Sequence, residues 1–538
     1  MNPKIIEKLV IEALKKKIKT AKQLDEIKRE YSSSAKTGKI LKNSEILSIY
    51  YNLLKNKKIE RNKILEEILR IRKIRTLSGV AIVAILTRPY KCPGSCFFCP
   101  TQKNVPKSYL KDEPAVMRAI MCDYNPYEQV KMRIRALEAT GHNVDKIELI
   151  VIGGTWSFLP QKYQNWFIKE CFRACNEYGL KSHRYQKLGL EKQQKINEKA
   201  KYRIIGITLE TRPDFINEKE IKKMRKLGFT RVEIGVQTIF DDILKLNKRG
   251  HALKEIIKAT LLLKDAGFKI CYHLMPNLPG SSIKKDKQVF EKIFSGPDFQ
   301  PDLLKIYPCV VLKTAPLYKW FKNKKYKPYS QKQLFELLMF IKKNIPYYCR
   351  IQRLIRDIPT NNIVAGCLIP NLSQELQKQM KKEGWQCKCI RCREVKNDYN
   401  PKDKIKLFRQ DYNGSQGKEI FLSFETTDRK KLFSLLRLRI PSQILNKKSH
   451  FIKELQNSAI IRELHTFGQM VPVAEKKIAP QHKGLGKKLI KIAEKITKKE
   501  FSLNKISVIS GIGVKEYYKK LGFAPNGTYM TKNLIPRT

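Results

Sequence analysis

Cys92, Cys96 and Cys99 lie in the stretch Lys91-Cys-Pro-Gly-Ser-Cys-Phe-Phe-Cys-Pro100. Three thiols at a C-x3-C-x2-C spacing can hold three irons of a four-iron cluster and leave the fourth iron open. Such clusters are held by cysteine thiolates, and an open iron is what a second cofactor needs in order to bind and be reduced there. Zinc is the competing occupant. It usually takes four ligands, often from paired C-x2-C units, and no fourth ligand lies nearby in the sequence. The spacing favours a 4Fe-4S cluster over a zinc knuckle.

A second triplet, Cys387, Cys389 and Cys392, puts three thiols in six residues. This compact claw suits a structural zinc held by thiolates. Its fourth ligand must come from elsewhere, and Cys309, in Tyr307-Pro-Cys309, is the candidate. Three reduced surface cysteines are the plain alternative.

The first triplet directly follows the apolar run 80–87, one of a series of short apolar, β-branched runs at 147–152, 204–209, 232–236, 270–274 and 303–306. Helical patterns such as 218–227 and 253–266 separate most of them. Buried strands alternating with helices imply a parallel sheet, and six such units suit a partial (β/α)6 barrel. Barrel chemistry sits at the C-terminal ends of the strands, and polar residues gather there. The first strand runs into the cysteine loop, the second ends in Gly153-Gly154, and the third in Glu210-Thr-Arg212-Pro-Asp214. The fourth ends in Gln237, the fifth carries His273 and Met275, and the sixth Lys305 and Tyr307. Gly153 and Gly154 can offer backbone N–H groups to the polar end of a cofactor. Glu210 and Arg212 either pair with each other or face that cofactor.

Around the barrel at 76–344 the chain divides into a basic helical segment at 1–75, a cysteine-rich connector at 345–400 and a second α/β unit at 401–538. In the last, strands are expected at 419–425, 432–439, 460–465, 470–473 and 506–509. Gln481-His-Lys-Gly484-Leu485-Gly486 opens a helix, and a Q-x-x-G-x-G turn at a helix N-terminus presents backbone N–H groups to a pyrophosphate. Tyr517 and Tyr518 follow on a late helix; this order of turn, helix and strand resembles acetyltransferases of the GNAT type, in which a tyrosine on the late helix stands near the thioester sulfur.

The chain has 538 residues, enough for three or four domains at ~150 residues each. Its formal charge of +59 suggests a polyanionic partner such as RNA. The excess is spread along the chain, as codon usage would also produce, and a basic surface does not by itself identify a target. No apolar run approaches the roughly 20 residues of a membrane span, so no membrane partner is expected. Thirteen scattered cysteines do not read as a disulfide framework and suit a reducing, cytoplasmic setting. The oligomeric state is left open, a homodimer included.

The order of these parts resembles the catalytic subunit of Elongator, in the form that acts without partner subunits. The resemblance runs from about Ser44 to near the end of the chain. It is carried by Glu113-Pro-Ala-Val-Met-Arg-Ala-Ile120, Val144-Asp-Lys146, Gly153-Gly-Thr155, Glu210-Thr-Arg-Pro-Asp214, Glu233-Ile-Gly-Val-Gln237, Arg249-Gly-His251, Arg462-Glu-Leu-His465 and Ile509-Ser-Gly-Ile-Gly513. It implies a radical-SAM barrel joined to a GNAT acetyltransferase fold, with a 4Fe-4S cluster, S-adenosylmethionine (SAM) and acetyl-CoA. The implied activity adds a carboxymethyl group to C5 of the anticodon wobble uridine of tRNA. A radical derived from SAM would take hydrogen from the acetyl methyl, the carbon radical would add to uridine, and thioester hydrolysis would complete the product.

Carried over by residue, Lys146, Glu463, Leu464, His465, Thr466, Leu485, Gly486, Lys487 and Tyr518 would contact acetyl-CoA, with Gln481 and Gly484 in the same turn. Tyr517, Tyr518 and Lys146 are the catalytic candidates. Gly153, Gly154, Glu210, Arg212 and Gln237 would serve SAM, while Arg88, Tyr90 and Lys91 could hold the anticodon loop. The competing readings are a protein lysine acetyltransferase with a structural Fe-S barrel, and an RNA-binding protein without activity.

Overall fold

The computed structural model describes residues 3–34, 41–71, 79–369, 371–396, 400, 402–468 and 484–534. Four N-terminal helices, α1 (Pro3–Lys15), α2 (Ala21–Ser34), α3 (Asn43–Lys55) and α4 (Lys63–Leu69), agree with the helical pattern read from 1–75. Their apolar stripes close a small core around Leu9, Val10, Ile46, Leu47, Tyr50 and Leu69. Asn62 caps α4 by accepting from the Leu65 N–H at 3.0 Å, satisfying one of the donors a helix start leaves open. Arg70 ties this module to the next by donating to the Gly141 carbonyl at 2.8 Å.

All six strands expected of the barrel are present: β1 (Ala81–Leu86), β2 (Lys146–Ile152), β3 (Arg203–Thr211), β4 (Arg231–Gln237), β5 (Lys269–Leu274) and β6 (Leu303–Ile306). A short ribbon of β7 (Val311–Leu312) with β9 (Ile363–Ala365) follows. The stretch Arg350–Arg353, which the sequence reading assigned to the connector, is instead β8, a seventh parallel strand beside β6. At four residues it is too short to announce itself by hydrophobic periodicity. The sheet order is β1-β2-β3-β4-β5-β6-β8, every pair parallel, a curled half-barrel with two free edges.

Strand alternation sorts the residues. Val83, Ile147, Leu149, Ile207, Val232, Ile234, Ile270, Tyr272 and Leu304 enter the core shared with the covering helices. Their sequence neighbours, among them Glu148, Glu233, His273 and Lys305, face the other way, into the barrel. That is why its interior is polar while its shell is not.

The C-terminal sheet runs β10 (Ile405–Gly414), β11 (Gly417–Thr426), β12 (Leu432–Ile440), β13 (Ala459–Thr466), β14 (Lys505–Val508), β16 (Tyr529–Asn533) and β15 (Ala524–Asn526). Only β13 and β14 pair in parallel. The helix Leu485–Phe501 packs Leu489, Ile490, Ala493 and Ile496 against this sheet. The expected strand at 470–473 and Gln481 lie outside the described residues.

This domain sits beneath the barrel, against the loops that lead into β4, β5, β6 and β8. Arg439 binds Asp265 at 2.8 Å, Arg462 binds Asp302 at 3.0 Å and Glu419 at 2.9 Å, and Arg437 donates to the Tyr348 carbonyl at 2.7 Å. Tyr529 closes the seam by donating to the Ala266 carbonyl at 2.9 Å. These three arginines are among the largest fully buried side chains. Buried ion pairs gain little net stability, but removing one partner strands the other charge, so the network fixes how the two halves dock.

Candidate active sites at the two ends of the barrel

At the mouth, the cysteine loop after β1 is pinned by backbone bonds from Phe97 N–H to the Asn247 carbonyl (3.3 Å) and from Thr101 N–H to the Thr314 carbonyl (3.1 Å). Cys96 is buried, and Cys92 and Cys99 are half-buried. Cys96 Sγ accepts from Arg249 at 3.2 Å, and Cys92 Sγ accepts from the Gly94 N–H at 3.5 Å. Burial, helped by the neighbouring Cys96 and Cys92, pushes the Cys99 thiol up to about 12, so a bound cation is what would keep it a thiolate. Among the described residues Cys92, Cys96 and Cys99 do not form a group whose sulfurs all lie within 4.8 Å of one another. A single tetrahedral zinc would draw its thiolates to about 3.8 Å apart, given Zn–S bonds of about 2.3 Å. A cubane, in which each cysteine takes a different iron, needs wider spacing. The donor set fits a 4Fe-4S cluster.

The strand ends ring this loop. Gly153 and Gly154 have φ of 134° and 96°, a region that favours glycine, and a Cβ on Gly153 would fall 2.1 Å from Thr87 Oγ1. With Thr87, Trp156 and Glu210 they line a cleft. Glu210 accepts from the Tyr109 hydroxyl at 2.7 Å and lies 3.5 Å from Lys305. Arg212 pairs with Asp214 (3.0 and 2.9 Å), not with Glu210, while its Nη1, buried without a hydrogen-bond partner, points at Gly94 of the cysteine loop. Gln237 holds a φ of 69° and leaves a buried Oε1 unpartnered. Strain of this kind gathers at ligand sites.

Below the mouth, Glu233 is completely buried between His273 (2.8 Å) and Lys305. Burial alone would raise its carboxyl, but the Lys305 ammonium and the His273 hydrogen bond outweigh it and hold the group well below the usual carboxylate range. For Lys305 burial would favour the neutral form, and Glu233 reverses that. Glu233, Tyr109 and Arg249 were not singled out as site residues from sequence. The legible signals were a carboxylate inside the otherwise apolar run Val232-Glu-Ile-Gly-Val236 and the place of Glu233 and Arg249 in two of the segments that carry the resemblance.

At the opposite end, β13 and the start of helix Leu485–Phe501 converge. A Cβ on Gly486 would lie 3.3 Å from the Tyr517 hydroxyl, 3.5 Å from Thr466 Oγ1 and 3.8 Å from a Leu464 methyl. Tyr517 is thus at the helix N-terminus, whereas Tyr518 is buried in the apolar core against Phe523. Gly484 caps the helix, Leu485 is buried with Val395 and Phe433, and Lys487 is exposed. Glu463 binds Arg437 at 2.8 Å and Lys269 at 3.5 Å. Burial would raise its carboxyl, but these two cations lower it. Burial lowers His465 to about 4, leaving a neutral ring whose buried Nε2 has no hydrogen-bond partner. Lys146 begins β2, on the same floor of the barrel.

Cys387, Cys389 and Cys392 do converge, with sulfurs all within 4.8 Å, a spacing that fits one zinc. Cys389 is held well below the ordinary thiol value by hydrogen bonds from Cys387 and Cys392. Cys309 is not with them. It is buried in a separate apolar cluster with Ile243, Leu278 and Tyr326, because the ribbon after β6 carries it toward the mouth. The cysteine flanking the triplet is Cys349, whose carbonyl accepts from the Ile390 N–H at 3.0 Å.

A cysteine loop at the C-terminal ends of a curled parallel sheet defines a radical-SAM enzyme. Residues 86–293 match the radical SAM superfamily and residues 301–382 match the radical SAM C-terminal domain. The chain is 46% identical to the tRNA uridine(34) acetyltransferase of Methanocaldococcus infernus, over 98% of both chains. It is 37% identical to human Elongator complex protein 3, over 88% of this chain and 87% of that one. The solved structure of archaeal Methanocaldococcus infernus Elp3 lacking residues 1–46 superposes with a TM-score of 0.73 at 44% identity, covering 85% of this chain and all of that one. The chain belongs to the family of tRNA uridine(34) acetyltransferases and Elongator complex protein 3.

Proposed function

We propose that this chain modifies the wobble uridine of tRNA, using acetyl-CoA as the carbon source and SAM at a 4Fe-4S cluster as the source of radical chemistry. The supporting observation is the pairing in one chain of a C-x3-C-x2-C cysteine triplet at the barrel mouth with a GNAT-like helix start at its floor, in a protein 46% identical to a named tRNA uridine(34) acetyltransferase. When bound, the cluster and SAM supply hydrogen abstraction after one-electron reduction, and acetyl-CoA supplies the two-carbon unit.

The chain's own residues bind, orient and exclude water. Cys92, Cys96 and Cys99 hold the cluster, with Arg249 fixing Cys96. Gly153, Gly154, Glu210, Arg212 and Gln237 receive SAM. The turn at Gly484, Leu485, Gly486 and Lys487 offers N–H groups to the pyrophosphate of CoA, and Glu463, Leu464, His465, Thr466 and Lys146 line the acyl end. The Tyr517 hydroxyl can hold or return a proton at the thioester, while Tyr518 packs behind it. Neutral His465 can accept a proton from water during hydrolysis. Zinc at Cys387, Cys389 and Cys392 and a cytoplasmic setting belong to the same reading. Among the described residues no helix is long and apolar enough to cross a membrane.

The protein lysine acetyltransferase reading is not favoured, since the relatives compared carry tRNA-modification or Elongator names. Anaerobically reconstituted protein is expected to yield 5-carboxymethyluridine when given tRNA, SAM, acetyl-CoA and a reductant, read by nucleoside mass spectrometry. Acetylated protein with unmodified uridine would reverse the choice.

A further inference from the structure

One surface near the barrel mouth has no part in the proposed function: the basic turn that follows β7. Six lysines fall between residues 313 and 327, and no Asp or Glu occurs from 303 to 335. All six lysines are exposed, and among the described residues no carboxylate pairs with any of them. Like charges gathered in this way repel one another, and an anionic partner would relieve that repulsion.

The turn is fastened to the cysteine loop. The Leu317 N–H donates to the Phe97 carbonyl at 2.9 Å, and the Thr101 N–H donates to the Thr314 carbonyl at 3.1 Å. The short helix Leu317–Lys322 therefore begins on the backbone between Cys96 and Cys99. Its Trp320 ring lies 4.8 Å from the Phe97 ring, and the exposed Lys248 stands 5.0 Å from that same ring. Phe98, Trp320 and Phe321 pack against Leu317 and Tyr326. The Lys325 N–H closes the turn on the Trp320 carbonyl at 2.8 Å. Packed aromatic rings thus join the neighbour of a cluster ligand to the lysine surface.

RNA and an acidic protein are the two polyanions that suit such a patch, and the residues favour the protein. Recognition of RNA leans on arginine forks and on aromatic faces free to stack with bases. Here no Arg occurs from 250 to 349, and Trp320 is half-buried against Phe97. Lysines are hydrated point charges, suited to the small, brief interfaces of electron carriers, whose encounter rate charge steering sets. The turn also meets the cysteine loop at Phe97 and Thr101, whereas Arg212 of the cofactor side meets it at Gly94.

We propose that the surface around Lys319, Lys322, Lys324 and Lys325 docks a small acidic electron carrier of the ferredoxin class, which reduces the cluster through the Phe97–Trp320 contact. One electron leaves the iron–sulfur centre of the carrier and enters the cluster held by Cys92, Cys96 and Cys99. The carrier is oxidised and the cluster reduced, with no bond formed or broken. This rests on the 4Fe-4S reading above.

The test compares two reductants. In reconstituted holoenzyme, Lys319→Glu/Lys322→Glu/Lys325→Glu should slow SAM cleavage driven by a reduced acidic ferredoxin by about tenfold at low salt. The readout is 5′-deoxyadenosine released without tRNA, and the gap should close as salt screens the charges. Cleavage driven by dithionite should stay at the wild-type rate. Ferredoxin-driven cleavage at the wild-type rate would overturn the proposal. So would an equal loss with both reductants, which would make the helix a support of the cysteine loop. Lost tRNA affinity with ferredoxin-driven cleavage intact would assign the lysines to RNA. If wild type cleaved no SAM even with dithionite, the radical-SAM reading would fall instead.

A second measurement needs neither a variant nor turnover. Carbodiimide cross-linking of the wild-type chain to the same ferredoxin should join its carboxylates to Lys319, Lys322, Lys324 or Lys325, read by peptide mass spectrometry. Cross-links found only elsewhere on the chain would overturn the docking surface.

Discussion

Cys92, Cys96 and Cys99 occupy an irregular loop at the barrel mouth, while Cys387, Cys389 and Cys392 sit where the connector meets β8 and the C-terminal sheet. The first three are spread too widely for one ion and are surrounded by groups with unfilled hydrogen-bond capacity, such as Arg212 Nη1 and Gln237 Oε1. The second three are drawn within 4.8 Å and packed into the main core with Ile390. A site that must admit a guest leaves its neighbours unsatisfied. A site that only fastens two elements closes on itself. Sequence spacing hinted at this difference, and the three-dimensional separation makes it physical.

The most severe expected loss is at the mouth. Cys96→Ala should abolish the cluster's visible absorbance and all modified uridine, while circular dichroism stays native. Retained absorbance would break the comparison. At the seam the cost falls on stability rather than chemistry. Cys389→Ala should lose one equivalent of zinc by elemental analysis and destabilise the fold by about 3 kcal/mol in denaturant. Unchanged zinc content would refute the second site.

A smaller effect distinguishes the neighbouring tyrosines. Tyr517→Phe should slow acetyl-CoA hydrolysis about tenfold, the scale of one lost hydrogen bond, while Tyr518→Phe should leave the rate near wild type. The reverse pattern would place the working hydroxyl on Tyr518.

The smallest is a pH effect. His465 has its folded pKa lowered to about 4 by burial, below the ordinary 6.5. The unfolded chain therefore takes up this proton first. Stability should be flat above 6.5 and fall as pH drops from 6.5 toward 4, by at most about 1.4 kcal/mol per pH unit from this group. His465→Gln should remove that component from a urea-unfolding series. An unaltered slope would show that the ring is not desolvated.

Much of the barrel was legible because buried parallel strands are written as near-continuous apolar runs, and residues 80–86 and 149–152 needed nothing else. The strand Arg350–Arg353 was not legible. It is short and charged, and it is a strand because β6 offers it an edge. Cys309 was misassigned because sequence distance says nothing about which way a chain turns after a strand. Arg212 takes Asp214 rather than Glu210 because the chain turns just after β3, while Glu210 faces Tyr109 and Lys305 inside the barrel. The buried arginines of the seam were equally hidden. In sequence, Leu432-Phe-Ser-Leu-Leu-Arg-Leu-Arg439 reads as an ordinary half-exposed strand, and only the partner domain explains its guanidinium groups.

Those guanidinium groups bear on how the polypeptide can be cut. Severed from its lower half, the barrel would present Asp265 and Asp302 without their counter-charges, and the isolated C-terminal fragment would keep Arg437, Arg439 and Arg462 with only Glu419 and Glu463 to balance them. Neither piece is then a self-sufficient module. Expression of one alone should give insoluble or molten material, and melting of the intact chain should proceed as a single cooperative event across the seam.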